Sequence, residues 1–264
     1  MTPGYGTLCT EVYELDKPIG HSFGDVEYYK RLLAGVRGRI LEPAVGTGRI
    51  LIPLLEAGFD VAGFDTSPAM LAACRRHCRE RNLDPVLCEA DMTRYVQPSA
   101  YAAVIIPAGS IMLLHGRDAT FQALRCFWEC LQPSGRLLVD VDVPPTHRRG
   151  EPSPGPIRYW RRGPFVWTLQ TQHSAYDPAA NQATNWDRYE KWHAGTLVAT
   201  ELQLFRLQYW GIDDFVGMVK EAGLTEVSIT ADYLEGHAPE VESHIWTFHA
   251  SRPPRQDHAV SPTT

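Results

Sequence analysis

The chain has 264 residues, 44% hydrophobic and 21% charged, with a formal net charge of −6. That is the composition of an ordinary globule, long enough for one α/β domain with a sizeable core. The acidic balance excludes a broad nucleic-acid surface, and no apolar run reaches the roughly 18 residues of a membrane span.

In chain order, Met1-Thr2-Pro3-Gly4-Tyr5-Gly6 lacks the basic start and apolar stretch of a signal peptide, so a cytoplasmic location is expected. Residues 25–36 have helical spacing, with Tyr28, Leu32 and Leu33 toward a core. Strands and helices then alternate: strand 39–43, helix 47–57, strand 60–65, helix 68–82, strand 86–89, strand 102–107, helix 118–131 and strand 136–143. Ser67-Pro68 starts the second of these helices well, the serine as N-cap and the proline in the first turn. Phe121, Leu124, Trp128 and Leu131 mark the core face of the later helix. Such alternation implies a parallel sheet covered on both sides, with ligand at the carboxyl ends of the strands.

Residues 144–156, rich in Pro, Gly and Arg, read as a loop. The period then changes to two over 165–170, 184–192 and 201–209, which predicts three or four antiparallel strands. Trp160, Trp167, Trp186, Trp192 and Trp210, five of the seven tryptophans, fall in 157–210. They fill a small core, wall a substrate pocket or form an oligomer interface. A helix over 212–222 and strands at 225–231 and 243–249 follow, and the end from Ser251 reads as a flexible tail. The six cysteines read as reduced. Met70, Cys74 and Cys78 share an apolar stripe with Leu71, whereas zinc on Cys74, His77 and Cys78 would want a fourth ligand; no metal is expected.

The most informative stretch is Ile40-Leu41-Glu42-Pro43-Ala44-Val45-Gly46-Thr47-Gly48-Arg49. An apolar strand ends in an acid, turns through two glycines and enters a helix, so a ligand can lie against bare backbone. Asp65 ends the next strand, where a carboxylate can grip a ribose diol. A dinucleotide site wants a third glycine where Leu51 stands, and Glu42 would repel a pyrophosphate. Glu42 suits a cofactor with a cationic end.

These residues resemble motif I of the class I S-adenosylmethionine (SAM) methyltransferases, with Ala44 in place of the first glycine. Three further stretches resemble the same family in order: Asp65-Thr66 with Met70, Glu89-Ala90-Asp91-Met92, and Ile106-Pro107-Ala108. The resemblance spans about 25–143 and 211–249. It implies a Rossmann-like fold, a mostly parallel seven-stranded sheet with helices on both faces, an antiparallel insertion and an N-terminal lid. It implies one domain over 1–250: lid and helix 1–37, cofactor core 38–145, insertion 146–210, and sheet completion 211–250, with a tail 251–264.

For SAM, and S-adenosylhomocysteine as product, the resemblance implies Glu42, Pro43, Ala44, Gly46, Thr47, Gly48, Arg49, Asp65, Thr66, Met70, Asp91, Met92, Pro107 and Ala108 as binding residues. Asp91 would meet the adenine amine, Met92 the ring, and Arg49 the methionine carboxylate. His115 is a candidate general base, and Tyr5 and Tyr13 are candidates for the methyl end. The signatures of N6-adenine and protein-arginine members are absent after the fourth strand. The insertion resembles small-molecule enzymes, including glycine and aminosugar N-methyltransferases, and the N-terminal tyrosines resemble N-methyltransferases of lincosamide antibiotic assembly. Of the 25 basic residues all but four are Arg, as in GC-rich antibiotic producers. The expected partner is a small-molecule acceptor, most simply an amine, with homo-oligomerisation left open. An O-methyltransferase, a SAM-binding protein without transferase activity and an NAD(P)-dependent oxidoreductase remain as alternatives.

Overall fold

Apolar strands that alternate with amphipathic helices can bury both faces of a sheet, and the clustering of side chains follows from that. The computed structural model describes residues 5–144 and 155–255. Its helices are α1 (Thr7–Asp16), α2 (Asp25–Leu32), α3 (Leu51–Glu56), α4 (Pro68–Glu80), α5 (Gly116–Cys130) and α6 (Ile212–Glu221), with a 3-10 turn at Ser110–Leu113. The strands of the main sheet are β1 (Ile40–Pro43), β2 (Val61–Asp65), β3 (Leu87–Glu89), β4 (Tyr101–Ile106), β5 (Leu131–Asp142), β10 (Thr225–Ala231) and β11 (Ile245–Ser251). The second sheet holds β6 (Arg158–Arg162), β7 (Phe165–Asp177), β8 (Gln182–His193) and β9 (Thr196–Gln208).

The main sheet runs in the order β10-β11-β5-β4-β1-β2-β3, and β6-β7-β8-β9 form a four-stranded antiparallel meander. Only the β5–β11 and β10–β11 pairings of the main sheet are antiparallel. Along β4, Val104 and Ile106 pack with Leu124 and Phe127 of α5, while Ala103 and Ile105 face the opposite core with Leu51, Leu71 and Cys74. The two-residue period thus divides one strand between two cores. Among the described residues no helix is long and apolar enough to cross a membrane.

Several boundaries differ from expectation. The helix expected over 47–57 begins only at Leu51, because Ala44, Gly46 and Gly48 all have positive φ, at 53°, 55° and 89°. That left-handed run cannot be helical, so the turn lengthens at the helix's expense. The strand expected at 136–143 starts at Leu131, where it already pairs with Tyr101. The core face of α5 is Ala123, Leu124, Phe127 and Cys130; Phe121 and Trp128 are only half-buried. Ser67 caps α4 as expected, its hydroxyl accepting from the Met70 N–H at 3.2 Å.

The tail is a correction. Ser251 ends β11, and the Arg252 guanidinium lies 4.0 Å from the Trp128 ring centre and donates to the Leu131 carbonyl at 2.5 Å. The chain is therefore pinned beyond Ser251, and residues 256–264 lie outside the described residues, as does most of the expected loop at 144–156. All six cysteines are free thiols.

The second sheet and α1 form a roof. Leu8, Cys9 and Val12 pack on Trp167, Leu169 and Tyr189. Polar ties reinforce the contact: Glu11 accepts from Trp167 Nε1 at 2.8 Å and from Lys191 Nζ at 2.7 Å, and Glu201 accepts from the Leu8 N–H at 3.0 Å. On its other side α1 meets α4, where Glu14 pairs with Arg76 and His77. Thus the N-terminal segment is a helix clamped between core and insertion, over the carboxyl ends of β1 and β2.

Candidate active site

Two clefts open under this roof. The larger, of about 400 Å³, follows the carboxyl ends of the parallel strands. Ala44 and Gly46 from the loop after β1, Asp65 and Thr66 at the end of β2, and Asp91 and Met92 after β3 line it. Met70 of α4 and the Leu114-His115 segment ahead of α5 contribute to its walls. Asp65 accepts from the Gly46 N–H at 2.9 Å and the Ser67 N–H at 2.8 Å, one to each oxygen. Each oxygen keeps a second lone pair, so the carboxylate is aimed and still able to receive a diol. Asp91 accepts from the Thr93 N–H and hydroxyl, both at 2.8 Å and both on Oδ1.

Glu42 lies in β1, two positions before Ala44, behind the residues that line this cleft. It is 2% exposed, and its Oε2 has no hydrogen-bond partner among the described residues. Burial, which outweighs the nearby Arg49 charge, pushes its carboxyl well above the usual range. An orphaned buried acceptor of this kind is costly unless a donor arrives. An ammonium is the donor that restores both hydrogen bond and charge, so Glu42 fits the cationic amino-acid end of SAM.

Arg49 departs from expectation. Its Nη1 and Nη2 grip buried Asp25 at 3.1 and 2.6 Å, and Nη1 also reaches the His21 carbonyl at 3.2 Å. Asp25, lowered by that guanidinium against the opposing pull of its burial, is an ion-pair partner inside the fold. The terminal nitrogens are committed, and only buried Nε is left without a partner. Arg49 therefore spends its fork on the Asp25 carboxylate, tying the start of α2 to the loop, rather than on the carboxylate of a ligand. Thr47 is also redirected: it lines a space between α1 and α4. Pro43 and Pro107 are buried, the latter accepting from the Ser110 hydroxyl at 2.9 Å.

The two loop glycines do different work. A Cβ on Gly46 would meet nothing closer than 4.0 Å, so that position borders open cleft. A Cβ on Gly48 would come within 2.9 Å of Cys74 Sγ and 3.0 Å of Ile52 Cδ1. Its bareness lets α4 pack against the loop.

The smaller cleft, of about 270 Å³, is assembled from distant segments. Ala108 and Gly109 form one side, Cys9 and Asp16 come from α1, and Asp187 and Tyr189 from β8. Tyr5, Tyr13, Ser110, Leu113 and Phe205 line both clefts, which places the junction at this wall. Tyr5 meets Phe205 at a ring-centre distance of 5.1 Å and Tyr13 at 6.3 Å, edge to face. Burial raises both phenols, so they are neutral donors.

His115 lines the larger cleft and not the smaller one. Burial and then the Arg206 charge hold its pKa below the usual value, so it is neutral at pH 7. None of the five clustered tryptophans lines either cleft; Trp167 is core under α1 and Trp186 faces outward at 39% exposure. The aromatic wall is instead Tyr5, Tyr13, Tyr189 and Phe205. Asp187, Tyr189, Ser110 and Phe205 were missed by sequence reasoning. The two-residue period of β8 puts Asn185, Asp187 and Tyr189 on one face, but which face turns inward depends on α1. Among the described residues no group of three or more His, Cys, Asp or Glu is arranged to hold a metal ion.

Residues 40–135 match the family model described as Methyltransferase domain. A putative methyltransferase of Bacillus subtilis, YqeM, is 34% identical over 107 residues, which are 40% of this chain and 42% of that protein. The match thus spans well under half of that relative's own length. Among solved structures, the CcbJ methyltransferase from Streptomyces caelestis superposes with a TM-score of 0.74 at 22% identity, over 97% of this chain and all of that one. The sugar N-methyltransferase KedS8 from a Streptoalloteichus species does so with 0.70 at 22%, over 89% of each chain. At these identities the likeness speaks to the fold, a Rossmann-like class I methyltransferase fold. SAM is the cofactor that goes with this fold and domain.

Proposed function

We propose that the chain transfers a methyl group from SAM to a nitrogen of a small-molecule metabolite, an amine of the aminosugar or lincosamide kind. The observation that carries this reading is the junction: a cleft along the strand ends and a second cleft bearing charged side chains share one aromatic wall at Tyr5, Tyr13 and Phe205. A transferase of two substrates needs such a meeting point. The sulfonium supplies an activated methyl group, and the protein's share is alignment, which can be worth about 7–11 kcal/mol at best. Asp65 and Glu42 hold the two ends of the cofactor, Tyr13 and Tyr5 close the space around the methyl, and α1 excludes water. The sugar N-methyltransferase activity in the name of KedS8 supports nitrogen as acceptor.

The test is incubation with SAM and a panel of glucosamine, glycine and sarcosine beside glucose and glycolate. S-adenosylhomocysteine and a gain of one CH2 are followed by mass spectrometry. Methylated amines are expected. Methylation confined to the hydroxyl compounds would instead establish the O-methyltransferase, and NAD binding without SAM binding would remove the reading altogether. Tyr13→Phe should lower kcat about tenfold with SAM affinity nearly unchanged, as for a group that acts on the aligned complex.

A further inference from the structure

The smaller cleft carries more charge than its size requires, and its charges are unequally paired. Asp16 is gripped by Arg158 through one guanidinium nitrogen, at 3.1 and 3.0 Å to its two oxygens. Lys17 lies 5.1 Å from the Tyr13 ring centre, and its positive charge acts on Asp142 beyond it. Asp187 differs. It accepts one hydrogen bond, from the Thr171 hydroxyl at 2.6 Å, and it has no ion-pair partner of its own among the described residues. Its charge nonetheless acts on Tyr5, Cys9 and Tyr189, which places it among the groups that close the cleft.

We infer that Asp187, on the inward face of β8, receives the acceptor's ammonium in the smaller cleft and takes its proton before methyl transfer. This rests on the N-methyltransferase reading above and names the chemistry that selects its substrate: a cationic amine over the corresponding alcohol. A half-buried carboxylate with a single neutral donor gains most from a cation that brings both charge and N–H groups. A hydroxyl offers one donor and no charge.

An ammonium has no lone pair to attack with, so transfer must begin with loss of a proton. That proton passes from nitrogen to an Asp187 oxygen. The freed lone pair forms the N–C bond as the C–S bond breaks with its electrons going to sulfur. The products are the methylated ammonium, S-adenosylhomocysteine and a protonated Asp187, which returns its proton to solvent. Burial raises the Asp187 carboxyl, which makes its anion a better base than an exposed aspartate. The charged and titratable groups around it in the cleft are Arg158 from β6, whose charge opposes that rise, Asp16, Lys17, Cys9, Tyr13 and Tyr5 from the N-terminal segment, and Tyr189 beside it, with Glu201 of β9 opposite Tyr189. Burial pushes Cys9 to about 12 and Tyr5 and Tyr189 higher, so none of these three titrates near neutrality. His115, outside this cleft, is not placed to compete.

Two measurements on the full chain test the assignment. Calorimetry on protein loaded with S-adenosylhomocysteine should show glucosamine binding at least tenfold tighter than glucose, and Asp187→Asn should erase that preference. No preference in the wild-type protein overturns the assignment, whatever the variant does. In turnover with glucosamine, Asp187→Asn should raise KM at least tenfold and move the kcat/KM profile at least one pH unit upward, since the variant must wait for free amine from solution. SAM affinity within twofold of wild type certifies the variant's fold. Amine methylation that proceeds in Asp187→Asn with unchanged KM and pH profile overturns the role of Asp187 and leaves the N-methyltransferase reading standing. Methylation of hydroxyl compounds alone, by the wild-type protein, overturns both.

Discussion

The two clefts are built in opposite ways. The larger is lined chiefly by residues at the ends of successive parallel strands, each within a few positions of a recognisable sequence pattern: Ala44 and Gly46, Asp65 and Thr66, Asp91 and Met92. The smaller gathers residues from α1, β6, β7, β8 and β9 and from the turn after β4, with sequence separations of up to about two hundred positions. In the first, backbone topology does the gathering, because every strand of a parallel sheet delivers its carboxyl end to one edge. In the second, side-chain packing of α1 on the insertion does it. The larger cleft should therefore respond to changes in local backbone and hydrogen bonding, and the smaller to changes in single side chains far apart in sequence.

The largest effect expected is at Gly48. Val there must adopt a φ near 89° and press on Cys74 and Ile52. Strain and overpacking together should cost about 2–5 kcal/mol of stability, seen as a depressed Tm in the absence of any ligand. Gly46→Ala, with open space before it, should lose only about 1 kcal/mol of stability and weaken SAM binding instead. Equal melting temperatures for the two variants would dissolve the distinction drawn between these glycines.

Next is Asp65→Ala, which should weaken SAM binding by roughly 2–4 kcal/mol in calorimetry, the scale of charge-assisted hydrogen bonds lost from a buried site. Part of that loss comes from releasing the Gly46 and Ser67 N–H groups. Affinity equal to wild type would remove Asp65 from the cofactor site.

Glu42 adds a pH signature. Burial raises its carboxyl in the free chain, so the unfolded chain gives up the proton first as pH rises; stability falls from the ordinary carboxyl range up to the raised value and stays lower above it. Binding a cation favours the ionised form, so SAM binding should release a proton. Affinity should then rise with pH by up to about tenfold per unit below the raised pKa. Glu42→Gln should flatten that dependence, stabilise the free chain near neutrality and weaken SAM binding at high pH. Kd measured across the neutral range in both proteins checks the sign, and a flat wild-type profile refutes it.

The smallest change belongs to His115→Gln. A neutral wall residue of the larger cleft should cost kcat/KM less than about fivefold, whereas a general base would cost about a hundredfold or more. A large loss confined to kcat would return His115 to the chemistry and erase the boundary between the clefts.

How much of this was legible follows the same division. Glu42, Gly46 and Asp65 stand out in the sequence because a tight loop and a strand end constrain residue type locally. Helix starts such as Ser67-Pro68 are read from the cap for the same reason. Gly48 was legible as a glycine but not in its purpose, since Cys74 reaches it only once α4 folds back on the loop. Arg49 was assigned to the cofactor because the sequence does not show that Asp25, twenty-four positions earlier, lies buried against it.

The tryptophans of the insertion mark where hydrophobic area is concentrated without showing which face is covered. Period two divides a strand into two faces, and α1 chose the one bearing Leu169 and Tyr189. What the sequence by itself determined was the parallel α/β core and the glycine turn between Glu42 and α3, because each depends on short-range geometry and on a topology that always collects strand ends at one edge. Only the tertiary structure decided the smaller cleft, the buried Arg49–Asp25 pair and the placement of Asp187, because each arises from contacts between segments whose separation along the chain carries no local trace of their meeting.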